Sequence, residues 1–155
     1  MTILAPPAAG FKGTAEIVVI GAGACGMVAA LAAEGDGGEV VVLERDAVPS
    51  GSTALSSGLI PACATAAQKA RGVTDDAATM AADILAKAHG ETDAALVAHL
   101  CRQSTVTVDW LNARHGLGLD VIDSFLYPGH SAHRMHGTPS RTGSELIGAL
   151  TRAVA

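Results

Sequence analysis

Aromatic side chains are scarce in this chain: one Trp, one Tyr and two Phe among 155 residues. The material left for a core is small and aliphatic, with 49% hydrophobic residues and much Ala and Gly. Such a composition suits helices packed closely on a parallel sheet and excludes a disordered chain. Positive charge is short as well, with 10 Lys and Arg against 15 Asp and Glu, a formal net charge of −5. That balance argues against nucleic acid or an anionic membrane surface as partner, and no basic stripe interleaved with aromatics offsets it. No apolar window approaches the length of a membrane span. The first residues lack the basic start and continuous hydrophobic stretch of a signal peptide. Cys25, Cys63 and Cys101 stand apart, with no C-x-x-C. An odd, scattered set reads as free thiols in a reducing compartment, so the cytoplasm is the expected location.

Glycine, by contrast, is abundant, and three glycines carry the main signal. An apolar run, Ile17 to Ile20, leads into Gly21-x-Gly23-x-x-Gly26, an alanine-rich segment follows, and a second apolar run, Val40 to Leu43, ends in Glu44. This order predicts strand, glycine turn, helix and strand, with an acid at the end of the second strand, the arrangement that binds a dinucleotide. Gly21 allows a sharp turn out of the strand, Gly23 lets backbone approach a pyrophosphate, and Gly26 lets the helix pack closely on the strand. The helix N-terminus offers unpaired amides and partial positive charge to phosphates. Cys25, inside this turn, reads as a small filler whose backbone faces the phosphates. Glu44 stands where a carboxylate accepts hydrogen bonds from ribose hydroxyls.

At 155 residues the chain is one domain or less, short for a dinucleotide enzyme that also builds a substrate site. Residues 1–14, with Pro6 and Pro7, read as a loose leader. The first strand is expected at Glu16–Ile20, the first helix at Cys25–Glu34 and the second strand at Glu39–Leu43. Arg45–Pro61 is a long polar connection, a length that in compact domains usually serves function. A short helix over Ala62–Ala70 is followed by one capped at Thr74 and running to Ala88, and one capped at Asp93 and running to Arg114. In the last, Leu96, Leu100, Val106 or Thr107, Trp110 and Leu111 form an apolar stripe expected to face the core. Leu119–Ile122 and Phe125–Tyr127 read as short strands and His130–Arg141 as a polar segment. Thr142-x-x-Glu145 reads as a capping box opening a final helix.

The connection after Glu44 narrows the cofactor. It reads Glu44-Arg45-Asp46-Ala47-Val48-Pro49-Ser50-Gly51-Ser52-Thr53-Ala54-Leu55-Ser56-Ser57-Gly58. This resembles the flavoproteins of the fumarate reductase/succinate dehydrogenase family, including their ketosteroid dehydrogenase and flavocytochrome relatives. Their pattern is an acid, a basic residue, then a G-G-[ST/N]-x-x-[SA]-[SA]-G-G loop. The resemblance implies an α/β, Rossmann-like FAD/NAD(P)-binding domain with a parallel sheet over residues 15–155, incomplete relative to the family. It implies FAD as cofactor, its ADP half on Gly21, Gly23, Ala24, Cys25, Gly26 and Glu44. Arg45, Gly51, Ser52, Thr53, Ser56, Ser57 and Gly58 would then meet the pyrophosphate, ribityl chain and flavin ring. Small residues let backbone amides reach the ring, and hydroxyls serve as adaptable donors and acceptors. Two positions depart from the pattern: Ser50 replaces the first glycine of the pair, and Leu59 replaces the glycine after Gly58.

The stretch His130-Ser131-Ala132-His133-Arg134-Met135-His136-Gly137-Thr138-Pro139-Ser140-Arg141-Thr142-Gly143 also resembles these enzymes, which carry an R-x-H segment ahead of a helix. Taken alone, His130, His133 and His136 suggest metal, but that spacing does not hold three ligands on one helical face, so no metal is expected. Arg134 and Arg141 have the chemistry to clamp a carboxylate, though the commoner case, a surface arginine, is the expectation. The family's cap domain and proton-donating arginine have no counterpart in these residues, so no catalytic residue is assigned. The resemblance implies, for the intact enzyme, hydride transfer between flavin and a C–C bond next to a carboxylate or ketone of a small-molecule substrate. Two alternatives stand beside it: another two-dinucleotide-binding flavoprotein, or a non-catalytic nucleotide-binding or subunit-interaction module. With the family's further strands absent from these residues, the sheet is expected to expose an edge and an apolar face, which favours self-association or a second polypeptide.

Overall fold

The two apolar runs pair in parallel in a computed structural model that describes residues 7–11 and 13–155. Strand β1 (Ile17–Ile20) lies beside β2 (Val40–Leu43), with Ile17 opposite Val40 and Ile20 opposite Leu43. Helix α1 (Ala24–Gly35) connects them and turns Met27, Ala30 and Leu31 inward. The leader expected at residues 1–14 falls partly on residues 1–6 and 12, which lie outside the described residues.

The long connection contains a single-turn helix, α2 (Ser52–Leu55), and leads into a short strand, β3 (Ile60–Pro61). Helix α3 (Ala66–Ala70) opens with a capping box: the Thr65 hydroxyl accepts from the Gln68 amide, and the Gln68 side chain accepts from the Thr65 amide. Helix α4 (Ala77–Lys87) is capped by Asp76, not Thr74, because the Asp76 carboxylate reaches the Thr79 amide at 2.7 Å. Helix α5 (Ala94–His115) begins at Asp93 as expected and ends on Gly116 in the left-handed region, φ +62°. No helix among the described residues is long and apolar enough to cross a membrane.

The expected apolar stripe of α5 holds at Trp110 and Leu111, which pack into the core, and is out of phase before them. Leu96, Leu100 and Val106 are exposed, while Val97, Cys101, Val108 and Leu111 are buried. The reason lies in two hydroxyl residues that share the inner face: Ser104 donates to Cys101 O at 2.9 Å, and Thr105 donates to Cys63 O. Hydroxyls that bond local carbonyls are at home in the interior. Leu100 instead lines an apolar groove of about 680 Å³ with Cys25, Val28 and Ile84, between α1, α4 and α5.

Strand β4 (Asp120–Val121) falls within the expected Leu119–Ile122 segment, but Phe125–Tyr127 forms no strand. Those two rings meet edge to face at 4.9 Å in a loop. The segment read as merely polar holds β5 (Met135–Gly137), the centre of an antiparallel sheet ordered β3-β5-β4. Helix α6 (Gly143–Val154) closes the fold along α1, bringing Leu146, Ile147 and Leu150 against Met27 and Leu31 in the main core. Helix α1 covers one face of the parallel pair, with α6 packed behind it. On the other face, Val18, Ile20, Val41 and Leu43 are exposed.

Candidate functional site

Both parallel strands end at the glycine turn. Gly21 sits at φ +101° and donates its amide to Leu43 O at 2.7 Å, tying the strand ends together. A Cβ on Gly26 would lie 2.0 Å from Gly21 O, so backbone touches backbone there and no other residue fits. Gly23 differs. It caps α1 without a side chain, and a methyl there would meet only the Thr53 hydroxyl at 3.7 Å. Packing does not require glycine at that position; what the missing side chain leaves open is the mouth of the helix. The first intrahelical bond runs from the Met27 amide to Gly23 O. The amides before it belong to the first turn, which a helix leaves for caps or ligands.

Glu44 closes one side of this mouth. Its Oε2 accepts from the Ala22 amide at 2.9 Å, and its Oε1 accepts from the amides of Arg45 and Asp46 at 2.8 and 3.1 Å. These backbone donors, Ala22 first, hold its carboxyl below the usual carboxylate range. The acid is charged, exposed, and stitched to the turn it was expected to serve. Arg45 points elsewhere: its guanidinium pairs with Asp46, which also accepts from Ser50, and it stands largely in solvent.

The loop from Gly51 to Gly58 closes the other side. Thr53 Oγ1 accepts from the Ala24 amide at 3.2 Å, linking α2 to the first turn of α1. Ser56 Oγ donates to Thr53 O at 2.8 Å and accepts from the Gly58 amide at 3.0 Å. Gly58 is buried at φ +62°, where a Cβ would lie 2.6 Å from Thr142 O. Ser52 and Ser57 are exposed on the same loop, and Cys25 is exposed on α1 while Cys63 and Cys101 are buried. Leu59, the departure from the family pattern, turns away from the mouth. A Cβ on Gly137 would meet its Cδ2 at 2.8 Å, so Leu59 packs under β5.

Two residues that the sequence did not assign to the cofactor site abut it: Thr142 and Gly143. The Gly143 amide donates to Ser56 O at 2.8 Å. The capping signal at Thr142 is visible in sequence, but no pattern tells that this helix start abuts a loop so far upstream. Of the reciprocal box only half forms. Thr142 accepts from the Glu145 amide, whereas the Glu145 carboxylate turns to the amide and hydroxyl of Ser140, which keep it charged.

The histidine segment splits into separate roles. His136 is buried, its Nδ1 bonded to Arg134 O and its Nε2 to Thr65 Oγ1, each at 2.8 Å. Because the Arg134 oxygen only accepts, the proton lies on Nδ1 and the Thr65 hydroxyl donates to Nε2, a neutral ring. Burial pushes its pKa down. His133 bonds Phe125 O, and His130 tilts against Tyr127. Among the described residues, no three His, Cys, Asp or Glu side chains gather as a metal would require.

Arg134 is not a surface residue. Its side chain is 1% exposed and forks onto Asp75, Nε to Oδ2 at 2.7 Å and Nη2 to Oδ1 at 2.9 Å, while Nη1 bonds Asp83. It anchors α4 and the turn before it to β5, away from the mouth.

The family described as "FAD binding domain" matches residues 16–155. A fumarate reductase (cytochrome) from Shewanella frigidimarina is 34% identical over 136 residues, 88% of this chain and 23% of the relative. A urocanate reductase from Eggerthella lenta is 32% identical over 132 residues, 85% of this chain and 22% of the relative. Among solved structures, the open conformation of a flavocytochrome c3 fumarate reductase superposes with a TM-score of 0.78 at 32% identity, over 94% of this chain and 26% of that one. A 3-ketosteroid-delta4-(5alpha)-dehydrogenase from Rhodococcus jostii shares the fold, with a TM-score of 0.73 at 23% identity. The chain thus spans about a quarter of the length of the fumarate reductase and urocanate reductase relatives and 38% of the ketosteroid dehydrogenase. A glycine turn locked to an acid, inside a match that runs over nearly all the residues described, leads to one assignment: the chain belongs to the FAD binding domain family, and its cofactor is FAD.

Proposed function

We propose that this chain forms the FAD-binding portion of a fumarate reductase-type flavoprotein oxidoreductase. In the intact enzyme, bound FAD supplies hydride transfer to or from a C–C bond next to a carboxylate or ketone of a small-molecule substrate. The chain's own residues bind and orient. Amides of Gly23, Cys25 and Gly26 face the pyrophosphate from the positive end of α1, and the Ala24 amide, given to the Thr53 hydroxyl, ties the loop to the same turn. Glu44 keeps lone pairs beyond its backbone bonds and accepts from the ribose hydroxyls. Gly51, Ser52, Thr53, Ser56, Ser57 and Gly58 line the path toward the flavin, with Arg45 at its outer rim.

One observation carries this reading: the Glu44 carboxylate lies 2.9 Å from the Ala22 amide, so acid and glycine turn form a single mouth. The test is titration of the purified chain with FAD, followed by the absorbance and fluorescence of the flavin. Glu44→Gln leaves one acceptor oxygen where the carboxylate has two, and affinity is expected to fall about tenfold or more. A chain that takes up no FAD, or a Glu44→Gln variant that binds as well as the parent, contradicts the reading.

The exposed apolar face of Val18, Ile20, Val41 and Leu43 belongs to the same reading. Parallel strands are normally covered on both faces, and the proposal includes a second polypeptide, or a second copy, over this one. Concentration-dependent sedimentation supports that; a single monomeric species at all concentrations opposes it. The reading also places the chain in the cytoplasm, its cysteines as free thiols.

A further inference from the structure

Helix α6 touches the cofactor loop in an unusual way: backbone meets backbone with no side chain between. A Cβ on Gly143 would lie 1.8 Å from Thr53 O, 2.8 Å from Ser56 O and 2.9 Å from Ser56 Oγ. From the other side, a Cβ on Gly58 would lie 2.6 Å from Thr142 O and 2.9 Å from the Gly143 nitrogen. Two glycines far apart in sequence therefore face each other, and neither position has room for a methyl group. Gly148, later in the same helix, has no such need, since a Cβ there would meet only Arg152 Nη1 at 3.6 Å. The close approach belongs to the helix start alone.

The chain bends sharply to achieve it. Arg141, just before the cap, sits in the left-handed region at φ +53°, a conformation an arginine holds only where its surroundings impose it. The Gly143 amide, one of the few that α6 has free for an outside acceptor, goes to Ser56 O. Ser56 in turn fixes Thr53 O and the Gly58 amide through its hydroxyl, and Thr53 holds the Ala24 amide. The positive end of α6 is thus committed to the loop.

We propose that Gly143 is a positioning residue for the flavin half of the cofactor, setting the backbone of Ser56–Gly58 from beneath, while Glu44 and the glycine turn serve the ADP half. This rests on the FAD reading above and gives the loop half of that site a support of its own from α6, joined to the ADP half through the Thr53 hydroxyl.

The experiment compares the affinities of the 155-residue chain for FAD and, separately, for ADP, by calorimetric titration. The variants are Gly143→Ala, Thr142→Ala and Gly148→Ala. Gly143→Ala is expected to weaken FAD about tenfold or more, with ADP affinity unchanged and the visible circular dichroism of the bound flavin altered. Gly148→Ala leaves both affinities alone. Thr142→Ala removes the cap without adding a clash, and keeps the test decisive if Gly143→Ala does not fold. It should weaken FAD about three- to tenfold and spare ADP. Equal losses of FAD and ADP affinity in either variant, or no loss of FAD affinity, overturn the positioning role. A parent chain that binds neither ligand overturns the FAD reading itself, and the proposal with it.

Discussion

Removing the Arg134 guanidinium should cost this fold more than most core truncations. Asp75 is fully enclosed, with a side-chain exposure of 0%, and the fork from Arg134 is the positive charge that meets it. In Arg134→Met the hydrophobic volume is kept, but Asp75 is left buried and uncompensated, and Asp83 loses its partner as well. Breaking one side of a buried pair costs about 3–5 kcal/mol, against a total stability of about 5–15 kcal/mol for a domain. With a urea slope of about 2 kcal/mol per molar, the midpoint should fall by roughly 2 M. The informative control is Arg134→Met with Asp75→Asn, which removes the orphaned charge; more than half of the loss should return. Acid sensitivity gives a second readout. Hydrogen bonds from Arg134 hold the Asp83 carboxyl down at about 2, against an ordinary value of 3.8. Its contribution is therefore full above 3.8 and disappears as pH falls toward about 2. That acid limb should flatten in Arg134→Met. A single variant that loses less than about 1 kcal/mol, or a double variant no better than the single, would refute the argument for a buried, stabilising clamp.

Gly26→Ala forces a Cβ to within 2.0 Å of Gly21 O, so the turn must open; stability should drop by about 1–3 kcal/mol in urea, with flavin uptake lost. His136 is neutral when folded, with its pKa below the ordinary 6.5. Its share of stability is thus complete above that value and erodes as pH falls below it, and His136→Gln should show a shallower acid slope in thermal melts. Replacing Val18 and Leu43 with Lys on the open face should raise solubility and suppress any self-association seen by sedimentation, with FAD affinity preserved.

The parallel pair and its crossover helix were legible because every local cue agrees there: unbroken apolar runs, three glycines, and an acid at a fixed place. Helix α5 was legible at its ends, where Asp93 and Gly116 act locally and Trp110 and Leu111 face the core, but not in the rotation of the turns between. Ser104 and Thr105 count as polar in any pattern, yet both lie inward because carbonyls of Cys101 and Cys63 receive their protons. Strand β5 was hidden for another reason. Three residues that include a histidine make no periodic signal, and its burial depends on Thr65, 71 positions away. Arg134 belongs with it: its partners Asp75 and Asp83 are 59 and 51 residues upstream, and no spacing rule joins them. In the proposed cofactor mouth, the glycine turn and Glu44 were visible in the sequence, while the glycine of α6 that abuts the loop was not. Contacts made by a backbone leave little trace in composition.

The unequal placement of the three thiols gives the molecule a native reporter. Cys25 alone is open to solvent, at the first turn of α1, whereas Cys63 and Cys101 are sealed inside. A maleimide should therefore label the folded chain once, and rapidly, with two further additions only after denaturation. Since Cys25 belongs to the first turn of α1 while its side chain opens on the groove toward α4 and α5, its alkylation rate would follow the order of that turn with no colour, no substrate and no engineered tag.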